Sequence, residues 1–206
     1  MQTKVYFTHV SIMQNTFSGH DENLTGKLLI ATPHLADTFF AQSVIYLCSH
    51  SASQGAIGLI INKRVLKPSI DEILAQLSIS PIPPKKQLPL CLGGPVDHDR
   101  GFVLHTSECH YEGGLAVSPD IQMTANLSVL KDVANGRGPT RALMALGHAA
   151  WSAGQLETEI LKDTSWFVAP ANHDILFSTQ YSTKWREALS SINIDPLLLS
   201  NTTGEA

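Results

Sequence analysis

Short apolar runs separated by turn residues dominate the first half of the chain. Ser43–Cys48 and Ala56–Asn62 are rich in β-branched and apolar residues, and a short polar link ending at Gly55 joins them. This pattern predicts an antiparallel hairpin. Gly55 and Gly58 further predict a bulge or a close approach of two backbones. Similar runs predict five more strands, at Lys27–Ala31, Leu90–Leu92, Gly101–His105, Gly114–Val117 and Ser165–Pro170.

Helical signals stand between and after these runs. Ser69 and Glu72 have the spacing of a capping box, and the apolar residues from Ile70 to Leu77 then fall on one helical face. Asn126 is a suitable N-cap for a helix that reaches Ala134, with Gly136 placed to end it. Two further helices are predicted over Gln155–Lys162 and Thr183–Ser190.

The order of these elements predicts the fold class. Residues 140–147 combine helix formers with a setting typical of a strand, so both structures stay open there. Residues 81–89 are rich in proline and predict a rigid connection inside one domain. Strands and helices that do not alternate regularly favour an α+β fold. We expect a loosely ordered arm over residues 1–23, a single domain over residues 24–200 and a frayed tail over residues 201–206.

Composition and charge narrow the classes of function. The 206-residue chain carries 14 Lys and Arg against 18 Asp and Glu, a formal net charge of -4. Phosphate backbones are bound by basic surfaces, so nucleic-acid binding is disfavoured. A hydrophobic content of 43% is ordinary for a globular protein and excludes general disorder.

The cysteines and the lengths of the apolar runs indicate the cellular compartment of the protein. Cys48, Cys91 and Cys109 are odd in number and widely spaced, which does not indicate a disulfide framework. The first fifteen residues lack the apolar core of a secretory signal, and no apolar run approaches the ~20 residues that span a bilayer. We therefore expect a cytoplasmic protein without membrane contact.

Several segments, taken in order along the chain, resemble one bacterial family. They are Leu28–Pro33, Asp37–Phe40, Ser43–Val44, Gly58–Lys63, Gly93–Val96, Arg100–His105 and Gly154–Glu157. In this order they are highly specific, and the chain from about Leu24 to its tail resembles the AlgH/YqgE family. The resemblance implies one α+β domain with a mixed, partly closed sheet flanked by helices. It implies no established enzymatic activity, and the link of the AlgH name to alginate regulation identifies no DNA-binding element.

Three positions depart from the pattern of that family. His148 stands where tyrosine is expected, Gln42 where a basic residue is expected and Arg64 where proline is expected. A site that relied on the phenol or on the basic group would therefore be altered in this chain.

Two turn segments are candidates for a binding site. The amides of Gly93 and Gly94 can form a nest that attracts an anion, although a tight turn that lets two backbones approach explains the same residues. Arg100 can add a positive charge to such a site, or it can pair with a neighbouring aspartate. Asn62 follows a buried strand, where asparagine commonly satisfies a turn, and its amide can also face the Gly93 turn.

The segment around Trp151 is the best candidate for surface recognition. Trp151 lies among small residues, and Gln155 falls in the first turn of the next helix. An exposed indole gives a flat contact for a ligand or a partner protein, whereas a buried indole closes the start of the helix. Glu157 and Glu159 are two residues apart, so they do not share a helical face and do not form a carboxylate pair.

The sequence gives little support to catalysis or to a metal. Nine histidines contain no HExxH motif and no zinc-finger spacing, so we predict no metal and no cofactor. Cys48 and His50 share a strand face at about 6–7 Å, too far for a direct hydrogen bond. A buried, unreactive Cys48 is the alternative interpretation.

We predict a non-enzymatic binding or regulatory module for a small anionic ligand or a partner peptide. Its groove is expected to be lined by Asn62, Gly93, Gly94, Arg100, Trp151 and Gln155. The rival hypotheses are a hydrolase or redox enzyme that uses Cys48 or Cys91 with a histidine, and a transcriptional regulator. A reactive thiol of low pKa would favour the first rival, and salt-sensitive DNA binding would favour the second.

Overall fold

A mixed sheet of nine strands forms the centre of the protein. The computed structural model describes residues 23–83 and 87–199, so the predicted arm, apart from Asn23, and the predicted tail lie outside the described residues. The strands are β1 Lys27–Ala31, β2 Val44–Ser51, β3 Gly55–Ile60, β4 Leu90–Leu92, β5 Val96–Thr106, β6 Leu115–Ser118, β7 Ile121–Thr124, β8 Ala142–Trp151 and β9 Trp166–Pro170. The helices are α1 Ile70–Gln76, α2 Leu127–Ala134, α3 Gln155–Leu161, α4 His173–Phe177 and α5 Lys184–Ser190, with short 3-10 helices at Pro33–Leu35 and Pro196–Leu198.

The strand order is β6-β7-β5-β8-β3-β2-β1-β9, and β4 pairs with β8 outside this path. The β4–β8 pairing is parallel, and the pairings along the path are antiparallel. The predicted α+β fold with one domain and a mixed sheet is confirmed. The described sheet is open, with β6 and β9 at its ends, so the partial closure that the resemblance implied is not seen there.

Strand β8 joins the two halves of the sheet. Its first part pairs with β4 and β5, and its last residues pair with β3. Gly147 lies between these parts with a φ of +70°, a conformation that favours glycine. The ambiguous segment over residues 140–147 is therefore mainly strand, because pairing on both sides and burial override its helix-forming residues.

The predicted hairpin and helix caps are confirmed. β2 and β3 pair antiparallel with a register shift between Leu47 and Ser49. A Cβ at Gly55 would lie 2.1 Å from the carbonyl oxygen of Trp151, so the predicted close backbone approach is real. Ser69 caps α1 through a capping box, and Asn126 caps α2 by accepting a hydrogen bond from the Ser128 amide.

Two short elements were not predicted from the sequence. Helix α4 has five residues, too few for a visible helical period, and it begins where the Asn172 side chain accepts a hydrogen bond from the Ile175 amide. Strand β7 has four residues and pairs with β5. Helix α4 positions the loop to α5, and that loop forms part of the site described below.

Candidate functional site

The two predicted turn glycines lie where the chain passes directly against β8. The Gly93 amide donates to the Leu146 carbonyl at 2.7 Å, and the Gly93 carbonyl accepts from the Ile60 amide at 2.8 Å. A Cβ at Gly94 would lie 2.0 Å from the carbonyl carbon of His148. Because the Gly93 amide is already used within the protein, the geometry favours the tight-turn interpretation over an anion nest.

The amide of Asn62 is also used within the protein. Its Oδ1 accepts from the Val44 amide at 2.8 Å, and its Nδ2 donates to the Gln42 carbonyl at 2.8 Å. Asn62 therefore ties the end of β3 to the loop before β2, which is the turn-satisfying role considered above. Gln42, one of the three departures from the family pattern, contributes its backbone here and not its side chain.

Trp151 and Gln155 belong to a hydrogen-bonded cluster centred on Glu159. The indoles of Trp151 and Trp166 both donate to Glu159 Oε2, at 2.9 and 2.8 Å. Gln155 Nε2 donates to Glu159 Oε1 at 2.9 Å, and Gln155 Oε1 accepts from the Ser152 amide. Trp151 is 6% exposed, so it closes the start of α3 and offers little surface to a ligand.

Arg100 lines a cleft of about 580 Å³ between β5 and helices α1 and α2. Its guanidinium lies 5.1 Å from the centre of the Phe102 ring. Of the six predicted site residues, Arg100 is the one that lines this cleft. The other five make the internal contacts given above, so the groove that would unite all six stays a prediction.

A different cavity brings together residues that the sequence did not single out as a site. This cavity, called here the Tyr181 cavity, has a volume of about 570 Å³. Charged and polar side chains at its wall include Arg64, Asp71, Thr179 and Tyr181. Its apolar lining consists of Val65, Leu66, Ile70, Leu88, Pro89 and Leu90. Its size and mixed lining are those of a small-molecule site.

Arg64 is held at this cavity by the backbone around it. The Val65 amide donates to the Leu90 carbonyl at 3.1 Å, and the Leu92 amide donates to the Lys63 carbonyl at 2.8 Å. These bonds extend the edge of β4 by the segment that carries Arg64. The exposed Arg64 guanidinium lies 6.0 Å from the centre of the Tyr181 ring.

A buried lysine lies beneath the same ring. Lys184 is 1% exposed, and its Nζ donates to the carbonyls of Ile61 and Leu176, at 2.9 Å each. Nζ also lies 5.7 Å from the centre of the Tyr181 ring. Within residues 23–83 and 87–199, no ion pair joins a carboxylate to Arg64 or to Lys184. Two cations that form no ion pair with a described carboxylate therefore lie within about 6 Å of the centre of one phenol ring.

Burial determines the ionisation of this cluster. Burial lowers the pKa of Lys184 to about 8 and raises the pKa of Tyr181 to about 12. The phenol is thus protonated at neutral pH and can donate a hydrogen bond. Sequence reasoning missed Lys184 and Tyr181, because an isolated lysine and tyrosine near an amphipathic helix ordinarily indicate a solvated face.

The low pKa of Lys184 gives a pH-dependent prediction. A lysine in the unfolded chain has a pKa near 10.5, so between about pH 8 and 10.5 the unfolded chain binds more protons than the folded one. The contribution of Lys184 to the free energy of unfolding therefore rises with pH across this window. Urea unfolding at pH 7.5 and 9.5 should show wild type gaining stability relative to Lys184→Met. The exposed Lys162→Met serves as control, and equal pH slopes for wild type and Lys184→Met would refute the assignment.

The thiols do not support the cysteine rival. Burial raises the pKa of Cys48 to about 12 and that of Cys91 to about 11, so both are thiols at neutral pH. Cys48 Sγ is 3.6 Å from the Tyr46 carbonyl, and Cys91 Sγ is 3.5 Å from the Ile61 carbonyl. His50, the proposed partner of Cys48, instead hydrogen-bonds Glu157. Among the residues with described positions, no group of three or more His, Cys, Asp or Glu could hold a metal ion.

Comparison with known proteins places this fold in a family. An AlgH-like family model matches residues 28–197. A UPF0301 protein of Gluconobacter oxydans is 55% identical over 183 residues, which cover 89% of this chain and 98% of that protein. YqgE of Escherichia coli is 40% identical over 188 residues, which cover 89% of this chain and 100% of YqgE.

Solved structures agree with this comparison. The solution structure of AlgH from Pseudomonas aeruginosa matches with a TM-score of 0.71 and 38% identity, over 91% of this chain and 98% of AlgH. A crystal structure from Corynebacterium diphtheriae shares the fold, with a TM-score of 0.69 and 22% identity over 91% of this chain and 97% of that one. In the described part of the chain, every helix is too short or too polar to cross a membrane. The match over residues 28–197 and the relatives at 55% and 40% identity show that this chain belongs to the AlgH-like family.

Proposed function

We propose that this protein is a non-enzymatic binding module that takes a small organic anion into the Tyr181 cavity. The observation that carries the proposal is the pair of cations, Arg64 and Lys184, over the Tyr181 ring without a paired carboxylate in the described chain. A buried ammonium that forms no direct ion pair is costly, and a nearby anion offsets part of that cost. The cavity is thus electrostatically suited to an anionic group.

Each wall residue has a distinct role in this proposal. Arg64 pairs with the anionic group, because a guanidinium binds a carboxylate or phosphate through two parallel hydrogen bonds. The Tyr181 hydroxyl, protonated at neutral pH, interacts with the Cys91 side chain and the Leu90 backbone, so its ring forms part of the cavity wall. Val65, Leu66 and Leu88 contact the apolar part of the ligand. The ligand is therefore a small amphipathic anion, for which hexanoate is a simple probe.

Removal of the Arg64 charge tests this proposal. Calorimetric titration with hexanoate should show an affinity about 10- to 100-fold lower for Arg64→Gln than for wild type, since a hydrogen bond to a charged group contributes about 1.5–3 kcal/mol. Arg64→Lys should recover part of the loss, because the charge remains and the two-pronged geometry does not. Arg186→Gln, on the exposed side of α5, is the matched control.

The opposite pattern would contradict the proposal. If the affinity for hexanoate falls in Arg100→Gln and not in Arg64→Gln, the anion binds in the Arg100 cleft. That result would agree with the groove that we predicted from the sequence. If wild type and all variants bind hexanoate with equal affinity, neither Arg64 nor Arg100 forms a specific anion site.

The biological setting is part of the same proposal. The three free cysteines support a cytoplasmic location, and a regulatory role for the bound anion stays part of the proposal. A formal net charge of -4 does not favour direct contact with DNA. Ligand binding, and not a chemical step, is the activity that Arg64, Lys184 and Tyr181 support.

A further inference from the structure

A second cavity adjoins the Tyr181 cavity. It has a volume of about 560 Å³ and is called here the Glu187 cavity. The two cavities share Gln87, Leu88, Pro89 and Thr179 in their walls. Because four residues line both, the two cavities lie next to each other, between residues 87–89 before β4 and the loop from α4 to α5, and together they are called here the groove. A ligand that passed over these shared residues would occupy both cavities.

The charge of the groove reverses along its length. At the Tyr181 end, the described charges are those of Arg64 and the buried Lys184 against one carboxylate in the cavity wall, that of Asp71, which leaves this end positive. The Glu187 cavity is lined by Arg141, Asp174 and Glu187, and Arg141 is neutralised by Asp174 through a 2.9 Å ion pair. Among the described residues that line this cavity, the Glu187 carboxylate is then the one charged group without an ion pair.

Within residues 23–83 and 87–199 Glu187 forms no direct ion pair, although its charge acts at longer range on the buried Lys184. Its Oε1 accepts a hydrogen bond from the Thr183 hydroxyl at 2.6 Å, which fixes the carboxylate without neutralising it. Lys184, three residues earlier in α5, directs its Nζ into the core, where it binds two backbone carbonyls. An ammonium group in the Glu187 cavity would therefore meet a carboxylate that forms no direct ion pair with a described cation.

We propose that the ligand of this groove carries two opposite charges, an anionic group at Arg64 and an ammonium group at Glu187. An apolar linker crosses Leu88 and Pro89, which line both cavities. This inference rests on the proposed function, because the anionic end occupies the same Tyr181 cavity. It narrows the ligand from any small amphipathic anion to a zwitterion with charges at its two ends.

Matched pairs of probes test the second charge separately from the first. Each ω-amino acid from 6-aminohexanoate to 10-aminodecanoate is compared with the fatty acid of equal chain length by calorimetric titration. At the length that spans the groove, the amino acid should bind about tenfold or more tightly than the fatty acid, from one added charge-assisted contact. In Glu187→Gln this ratio of affinities should fall to about one. Asp163→Asn, which removes an exposed carboxylate outside both cavities, should keep the wild-type ratio.

The outcomes separate the two proposals. If the fatty acids bind through Arg64 and the amino acids bind no more tightly at any length, the zwitterion is refuted and the anion site stands. If the amino acids still bind Glu187→Gln more tightly than the fatty acids do, Glu187 does not bind the ammonium group. If neither series binds to wild type, the anion site and the zwitterion both fail.

Discussion

Replacement of Gly94 with alanine is expected to prevent folding or to lower the free energy of unfolding by more than about 4 kcal/mol. The added Cβ would lie 2.0 Å from the carbonyl carbon of His148, 2.1 Å from its oxygen and 2.3 Å from the Ala149 amide nitrogen. All three atoms belong to the backbone of β8, which is paired with neighbouring strands and cannot move aside alone. Circular dichroism and urea unfolding measure the effect.

Gly101→Ala is the matched control for this prediction. Its Cβ would lie 2.5 Å from Met144 Cε, the flexible end of a side chain. Methionine can change its rotamer, so the expected loss is below about 1.5 kcal/mol. If Gly94→Ala folds as stably as Gly101→Ala, the turn does not depend on the close passage described here.

Replacement of His50 with alanine is expected to lower the free energy of unfolding by about 3–5 kcal/mol. His50 and Glu157 are both buried, and His50 Nε2 lies 3.0 Å from Glu157 Oε1. His50 Nδ1 accepts a hydrogen bond from the Leu24 amide at 3.1 Å, so Nε2 carries the proton and donates to the carboxylate. His50→Ala leaves the Glu157 carboxylate and the Leu24 amide without these partners.

A double-mutant cycle isolates the cost of the unpaired carboxylate. Glu157→Gln keeps an acceptor oxygen for His50 and removes the charge, so its own cost should be smaller than that of His50→Ala. His50→Ala should then cost at least about 1 kcal/mol less in the Glu157→Gln background than in wild type. Equal costs in both backgrounds would show that the two side chains act independently.

Local signals in the sequence predicted the elements that depend on local chemistry. Ser69 and Asn126 cap their helices through amides two or three residues away, so the necessary partners are visible in the sequence itself. Glu157 and Glu159 face different surroundings, as their spacing predicted: Glu157 binds His50, and Glu159 binds two indoles. The structure of residues 140–147 was not predictable, because strands distant in sequence determine it.

Contacts between distant parts of the chain also limited the prediction of the site residues. Polar groups at turns often bind ligands, which makes Asn62 and Gln155 predicted site residues, yet in the fold each binds another part of the chain. The residues around the Tyr181 cavity are brought together by contacts between parts of the chain that are far apart in sequence. Lys184 donates to the Ile61 carbonyl across 123 residues, and no sequence periodicity places these two groups together.

The central claim is that a small organic anion binds beside Arg64 in the Tyr181 cavity. The most direct test is an amide NMR titration of the isotope-labelled protein with hexanoate, in wild type and in Arg64→Gln. We expect the amides of Val65, Leu66 and Thr179 to shift in wild type, and to shift far less in Arg64→Gln. Shifts centred on Gly101 and Leu146 beside Arg100, or no shifts at any hexanoate concentration, would contradict the claim.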